Sequence, residues 1–302
     1  MTRSGFIAVA GRPNVGKSTL VNGLVGAKVA VTSDKPQTTR RAIRGIVNGV
    51  REEEPYQLVL VDLPGVQSPR DELTERMQKR VERELRDCDA ALFVINAAER
   101  SAGGDRFIAQ ALAAAKLPVV VAVNKVDLAD HAKIAAELAA AAELEQAGVD
   151  VREIVPVSAL KGSGVETLQT ALAALLPEGP FYFPADEVSD QPLNVRLAEL
   201  VRESALKHTR EEVPHSIEVH VEDVLRREDG LTVVRAVLWV ESQSQKTILI
   251  GRGGSMVRSI GTSARKEIER ELGGRAHLDL TVKVRKGWRR DEGLLDRLGI
   301  EA

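Results

Sequence analysis

Eight residues, Gly11-Arg12-Pro13-Asn14-Val15-Gly16-Lys17-Ser18, restrict this chain more than any other feature. They follow the apolar run Phe6–Ala10 and precede Thr19-Leu-Val-Asn-Gly-Leu-Val25, which has the pattern of a helix. The form G-x-x-x-x-G-K-[ST] between a strand and a helix is a phosphate cradle. Glycines let backbone N–H groups converge on phosphate oxygens, and the helix start adds partial positive charge. In that geometry Lys17 reaches the β- and γ-phosphates, Ser18 ligates Mg²⁺, and Thr19 opens the helix. A chain built around such a loop is α/β, with its strands buried in a mostly parallel sheet.

The rest of the first half agrees. Apolar runs at 42–47, 57–61, 90–96, 119–123 and 154–157 alternate with helix-like stretches at 71–87, 104–116, 130–147 and 164–175. Ligands of such sheets bind at the carboxyl ends of the strands. The motifs that follow fall at those ends. Asp62-Leu63-Pro64-Gly65 offers a carboxylate to the Mg²⁺ shell, through water, and the Gly65 N–H to a γ-phosphate. Asn124-Lys125-Val126-Asp127 suits guanine. The Asp127 carboxylate can accept from both N1–H and the exocyclic amine, a donor pair that adenine lacks. Asn124 can tie the loop and meet the acceptor edge of the base, and the stem of Lys125 can cover the ring. Ser158-Ala159-Leu160 follows the next strand, where its N–H groups can meet the guanine carbonyl. Between the cradle and Asp62 lies Gln37-Thr38-Thr39-Arg40-Arg41, the candidate first switch, with Thr39 preferred over Thr38 as a Mg²⁺ ligand.

In order and placement these motifs make residues 6–176 similar to a translation-factor-type GTPase domain. One position departs from the Ras-like pattern: Val66 follows Gly65, where a glutamine would orient water. No glutamine of that kind is available as a catalytic residue. Asn14 resembles the P-loop asparagine of GTPases that recruit K⁺ beside the phosphates, and K⁺ is the candidate second ion.

Residues 177–192, with prolines at 177, 180, 184 and 192, oppose helix and sheet and read as a linker; Phe181, Tyr182 and Phe183 are expected to pack on a neighbouring domain. From 193 to 302 the pattern changes to helix (193–207), strand (215–221), strand (232–241), helix, helix (256–272), strand (276–284), a small α+β domain. The run 245–251 ends in Gly251-Arg252-Gly253-Gly254, a GxxG between two helices. Such a loop clamps the backbone of single-stranded RNA in KH domains. The formal charge of −2 conceals the distribution: Lys246 to Arg290 holds twelve Lys or Arg and four Asp or Glu. That basic region marks a phosphate-rich partner. Lys246, Arg252, Arg258, Lys283, Arg285 and Lys286 are its candidate RNA contacts. Trp288 either stacks on a base or anchors the C-terminal tail.

The pairing of this GTPase pattern with ILIGRGGSMVRSIGTSARKEIE in a C-terminal type II KH domain, order α-β-β-α-α-β, resembles the Era family of bacterial ribosome-assembly GTPases, over nearly the whole chain. The resemblance implies GTP and GDP binding, hydrolysis, and contact with the small ribosomal subunit and its RNA near the 3′ end, as an assembly checkpoint. It also implies association with the inner membrane, which here would be peripheral, because the sequence has no lipidation signal or anchor. One cysteine, Cys88, allows no intramolecular disulfide, and the start enters the first strand directly, so a cytoplasmic monomer is expected. Cys88 reads as a packed residue, and the five histidines form no zinc pattern. Three rivals differ in chemistry. A tandem-GTPase assembly factor needs a second P-loop, which this sequence lacks. An ATPase or kinase conflicts with Asn124–Asp127. A signalling adaptor predicts no salt-dependent RNA affinity.

Overall fold

The computed structural model describes residues 2–32, 40–65, 72–99, 103–209 and 213–298. The first part runs β1 (Arg3–Ala10), α1 (Lys17–Val25), β2 (Ile43–Arg51), β3 (Glu54–Asp62), α2 (Glu72–Asp87), β4 (Ala90–Asn96), α3 (Gly103–Ala115), β5 (Pro118–Asn124), α4 (His131–Ala142), β6 (Asp150–Pro156) and α5 (Val165–Ala174). Its sheet order is β2-β3-β1-β4-β5-β6, parallel except for β2, which returns antiparallel along β3 as far as Asp62. Strands β1, β3, β4 and β5 are buried on both faces, hence their continuous apolar runs. One face packs on α1 and α5 through Leu20, Leu24, Leu168 and Leu172. The other packs on α2, α3 and α4 through Val81, Leu85, Ile108, Leu112 and Ala141. Cys88 lies in this second core, where burial, then nearby Glu84, pushes its thiol up to about 12 and leaves it unreactive.

The second part runs α6 (Leu193–His208), α7 (Val213–Ser216), β7 (Glu218–Arg226), β8 (Thr232–Val240), α8 (Gln243–Ile250), α9 (Ser255–Leu272), β9 (Ala276–Val284) and α10 (Glu292–Arg297), with sheet order β7-β8-β9. β7 and β8 are antiparallel, β8 and β9 parallel. The strand expected from His215 begins only at Glu218. Pro214 has no N–H for a ladder but suits a first helical turn, so 213–216 is helical. The run ending at Gly251 is helix α8, started by a capping box in which Ser242 and Gln245 satisfy each other's backbone N–H groups. On the front of the sheet, Val219, Val221, Val234, Ala236 and Leu238 meet α6 and the Ile260-Ala264-Ile268 stripe of α9.

The back of that sheet meets the first domain. Val237 and Trp239 of β8 share a cluster with Leu73 and Met77 of α2 and with Trp288, Leu294, Leu295 and Leu298 of the C-terminal tail. Trp288 is fully buried and its indole N–H donates to the Ser216 carbonyl at 3.0 Å. It therefore anchors the tail and offers no face to a base.

Residues 177–190 lie against the six-stranded sheet. Ser4 N donates to Pro177 O at 3.1 Å and Ile46 N to Val188 O at 3.0 Å. Gln57 accepts from the N–H groups of Tyr182 and Phe183 at 2.8 and 3.0 Å, and Arg44 pairs with Asp190 at 2.9 Å. Tyr182 packs on Phe6 with ring centroids 4.8 Å apart.

Candidate nucleotide site and nucleic-acid interface

The cradle is a turn between β1 and α1, closed by contacts from three other strand ends. Gly16 has φ 100°, and a Cβ there would fall 2.3 Å from Asn124 Nδ2. Glycine is thus required twice over, for its backbone and for its lack of bulk. Asn124 Nδ2 donates to Val15 O at 2.8 Å, and its Oδ1 accepts from Ala159 N at 3.0 Å. Lys125 Nζ donates to Asn14 O at 2.6 Å; both residues have positive φ, 65° and 64°. Two strained backbone positions are therefore locked against each other. On the far side, Gly65 packs so closely on Pro13 that a Cβ would lie 2.9 Å from its ring. Arg12 Nε sits 2.8 Å from the buried Asp105 carboxylate of α3.

Lys17 is 6 % exposed and donates from Nζ to the carbonyls of Gly11 and Arg12, each at 3.0 Å. Burial lowers it to about 8, against a smaller raising effect from Asp62. Ser18 Oγ donates to Asp62 Oδ2 at 2.7 Å, and Asp62 is fully buried. A hydroxyl and a carboxylate side by side are hard oxygen donors of the kind that Mg²⁺ takes. Leu63 and Pro64 are buried beneath this corner, with Leu63 N donating to Val9 O at 3.3 Å.

The base-sized cavity is about 180 Å³, lined by Gly16, Thr19, Lys125, Asp127, Leu128 and Leu160 among others. Ser158 Oγ donates to Asp127 Oδ1 at 2.6 Å, orienting the carboxylate, and accepts from Lys161 N at 3.1 Å. Leu160 is 74 % exposed at the rim.

Gln37, Thr38, Thr39 and Val66 lie outside the described residues. Arg40 and Arg41 are described, and both turn to the second domain. Arg40 Nη1 donates to Ile217 O at 2.6 Å and Glu218 Oε2 at 2.8 Å. Arg41 pairs with Glu199 and Glu218 and donates to Leu298 O.

In the second domain, Gly251 (φ 71°) approaches Met256 N so closely that a Cβ would fall at 2.8 Å. Gly253 and Gly254 also have positive φ and lead into α9. The loop opens onto a groove of about 520 Å³ between α9 and β9, lined by Gly254, Val257, Arg258, Gly261, Arg265 and Leu280 among others. Arg252 and Arg258 are exposed beside it, and Lys246 is half-buried on α8. Lys283 and Arg285 are elsewhere. Lys283 stands opposite Trp239 in the ladder, and Arg285 lies 5.0 Å over the Trp239 ring, so both face the back of the sheet. They pair there with Glu222 (3.3 Å) and Asp291 (3.8 Å). Strand parity separates them from the groove: Val282, one residue away, belongs to the front core. Lys286 is exposed after β9.

Asn124 ties the loop as its place in the motif suggested, with Val15 as the partner; sequence reasoning did not find the Arg12–Asp105 pair or the turn of Arg40 and Arg41 to the KH side. Each joins segments far apart in sequence, and no local pattern marks them.

The family model described as "50S ribosome-binding GTPase" matches residues 6–125, and the KH domain model matches residues 212–289. GTPase Era of Mycobacterium tuberculosis is 47% identical over 98% of both chains, and that of Mycolicibacterium smegmatis 46% over the same shares. A crystal structure of Era in complex with MgGDPNP and nucleotides 1506–1542 of 16S ribosomal RNA superposes with a TM-score of 0.93, 36% identity and full coverage of both chains. A single-residue variant of Aquifex aeolicus Era bound to GDP·AlF4⁻ gives 0.92 and 36% over 99% of this chain and 100% of that one. With a GTPase sheet, a KH sheet and relatives of this identity along its whole length, the chain belongs to the Era family of GTPases.

Proposed function

We propose that this protein hydrolyses GTP to time its grip on small-subunit ribosomal RNA near the 3′ end, acting as a checkpoint in maturation of that subunit. The observation that carries the reading is the pairing, in one chain, of an Asp127 carboxylate oriented by Ser158 in a base-sized cavity with a groove beside the GxxG loop. A relative that aligns over its full length was crystallised with both kinds of ligand, MgGDPNP and 16S RNA.

The roles divide as follows. Residues 11–19 and Gly65 hold phosphate, through the backbone N–H groups of those other than Pro13, with Lys17 on the β- and γ-oxygens. Ser18, Thr39 and Asp62, the last through water, would hold Mg²⁺, which neutralises charge on the phosphates. Asn124, Lys125, Asp127 and the 158–160 backbone hold guanine. Asn14 would hold K⁺, supplying charge where Val66 provides no hydrogen bond; equal turnover in KCl and NaCl at one ionic strength would remove that role. Gly251–Gly254, Lys246, Arg252 and Arg258 clamp the RNA backbone, and the exposed Lys286 is a further candidate contact, whereas Lys283 and Arg285 are held on the back of the sheet by Glu222 and Asp291. The domains span 1–176 and 193–302, joined by 177–192. The protein works as a cytoplasmic monomer with only peripheral contact at the inner membrane; no helix among the described residues is long and apolar enough to cross a membrane.

Crosslinking in cells tests this. A footprint at the 3′ end of small-subunit ribosomal RNA, lost when Arg252 and Gly253 are made acidic, is the expected result. A sound GTPase without a footprint would favour a protein-binding adaptor instead.

A further inference from the structure

Lys17 offers three N–H donors, and two are committed, to the carbonyls of Gly11 and Arg12 at 3.0 Å each. On a tetrahedral ammonium, two fixed donors set the direction of the third. The two carbonyls are held in different ways. Gly11 sits on the sheet, where a Cβ would fall 2.6 Å from Val94 O of β4. The Arg12 carbonyl lies in the peptide unit that joins Arg12 to Pro13, and that unit is planar, so its two ends fix it. At one end Pro13 meets Gly65, where a Cβ would come within 2.9 Å of both the ring and the proline nitrogen. At the other end the Arg12 side chain lies along the first turn of α3. Its Cγ and Cδ would be 3.0 and 2.9 Å from a Cβ at Gly104, and its Nε is 2.8 Å from Asp105 Oδ2.

Asp105 is 4 % exposed and stands in the first turn of α3, where a helix favours a carboxylate. Glu99, at 3.8 Å from Arg12 and mostly exposed, adds little. Stability alone is a weak reason to bury the Arg12–Asp105 pair, since apolar residues of similar volume often serve as well or better. What the pair supplies is a fixed point. With its head held by Asp105 and its stem seated on Gly104, Arg12 has few ways to turn its carbonyl. Without that anchor the peptide unit is held only at its Pro13 end.

We propose that Asp105, acting through Arg12, is a positioning residue for GTP hydrolysis: it holds the Arg12–Pro13 peptide at the angle from which its carbonyl aims the Lys17 ammonium at the phosphates. The inference rests on the reading of Lys17 as the phosphate-binding lysine. It gives α3, which carries none of the nucleotide motifs, a part in the reaction. It also places Gly65 and Asp105 at opposite ends of one peptide unit, so that both constrain the same carbonyl.

The test compares Asp105→Asn, Lys17→Ala and the double variant Arg12→Met with Asp105→Leu in the full chain. It measures single-turnover GTP hydrolysis, GDP affinity and the thermal transition. Misplacement of a reacting group by about 1 Å can cost up to about 100-fold in rate. Asp105→Asn is expected to slow hydrolysis at least about tenfold. The double variant replaces both charges by apolar groups, so its thermal transition is expected to stay near the natural one. Met keeps the stem on Gly104 but anchors no head, so hydrolysis is expected to be as slow as in Asp105→Asn, with GDP affinity falling by less than the rate. A pair that only holds the fold together predicts the opposite, natural hydrolysis wherever the thermal transition is natural. Natural hydrolysis in Asp105→Asn or in the double variant, with Lys17→Ala impaired, overturns the positioning role and leaves the lysine reading standing. A loss of rate that merely follows losses of thermal stability and GDP affinity overturns it too. An unimpaired Lys17→Ala removes both readings. Should Asp105→Asn fail to fold, the double variant decides by the same criterion.

Discussion

Asn124 and Val15 are 109 residues apart in sequence and joined by one buried hydrogen bond of 2.8 Å, amide to carbonyl. Through it the base-recognition strand end holds the phosphate loop, and the other end of the same amide holds Ala159. Replacing Asn124 by Ala leaves two buried backbone groups unsatisfied, at about 1–3 kcal/mol each. GTP and GDP affinities are expected to fall together, by about 30-fold or more. Titration with fluorescent analogues of both checks this; a loss confined to GTP would show that the amide acts through the γ-phosphate instead.

In the proposed function Asp127 governs the choice of base. Asp127→Asn replaces an acceptor facing two guanine donors with a group that is itself half donor. A site built for a hydrogen bond rejects the wrong partner by about 10⁴-fold or more in favourable cases. GTP affinity should fall at least about 100-fold, with the advantage of GTP over ATP collapsing in a competition assay. Ser158→Ala removes only the hydroxyl that orients the carboxylate, and the loss should stay near tenfold.

Lys17 predicts a pH dependence. Its ammonium titrates near 8 in the free protein because it is buried, whereas phosphate oxygens beside it would raise it again. The ligand-bound state then holds one more proton above pH 8. GTP affinity is complete below that value and weakens as pH rises through it, approaching tenfold per pH unit. Calorimetry in buffers of different ionisation enthalpy should find proton uptake on binding at pH 8.5 and little at pH 6.5. No uptake at pH 8.5 would place the Lys17 titration outside this range.

Trp288 is the largest fully buried side chain and belongs to the tail, not to a sheet. Trp288→Ala should cost about 3–5 kcal/mol, read as an earlier thermal transition, and leave the Ser216 carbonyl without its indole donor. Because the base-sized cavity contains no residue of that cluster, GDP affinity should be little changed. A parallel loss of GDP binding would mean that the interface supports the nucleotide site directly.

Legibility followed locality. The helix start bearing Ser18 and the strand ends bearing Asp62, Asn124 and Ser158 were readable because apolar runs and glycines are adjacent-residue signals, and a parallel sheet brings such ends together. The start of β7 was misplaced because Pro214 set a short helical turn, and alternation along β7 lapses at a bulge between Val221 and Asp223. Lys283 and Arg285 were grouped with the GxxG loop because charge counting ignores which side of a strand a residue occupies. Trp288 divided two ways until its burial was known. The partners of Arg40 and Arg41 lie 158 to 257 residues away, beyond what any spacing rule reaches.

The strapping of residues 177–190 to the sheet changes what kind of tether joins the two halves. A free segment of that length would have a root-mean-square span of about 20 Å, and the second half would explore a wide volume if its contacts were cut. With Pro177, Tyr182, Phe183, Val188 and Asp190 all tied down, only a residue or two before Leu193 is left to swing. The effective concentration of one half at the surface of the other therefore remains high, in or above the millimolar range of short linkers. Cutting individual ion pairs between the halves should then alter their angle far more readily than it separates them.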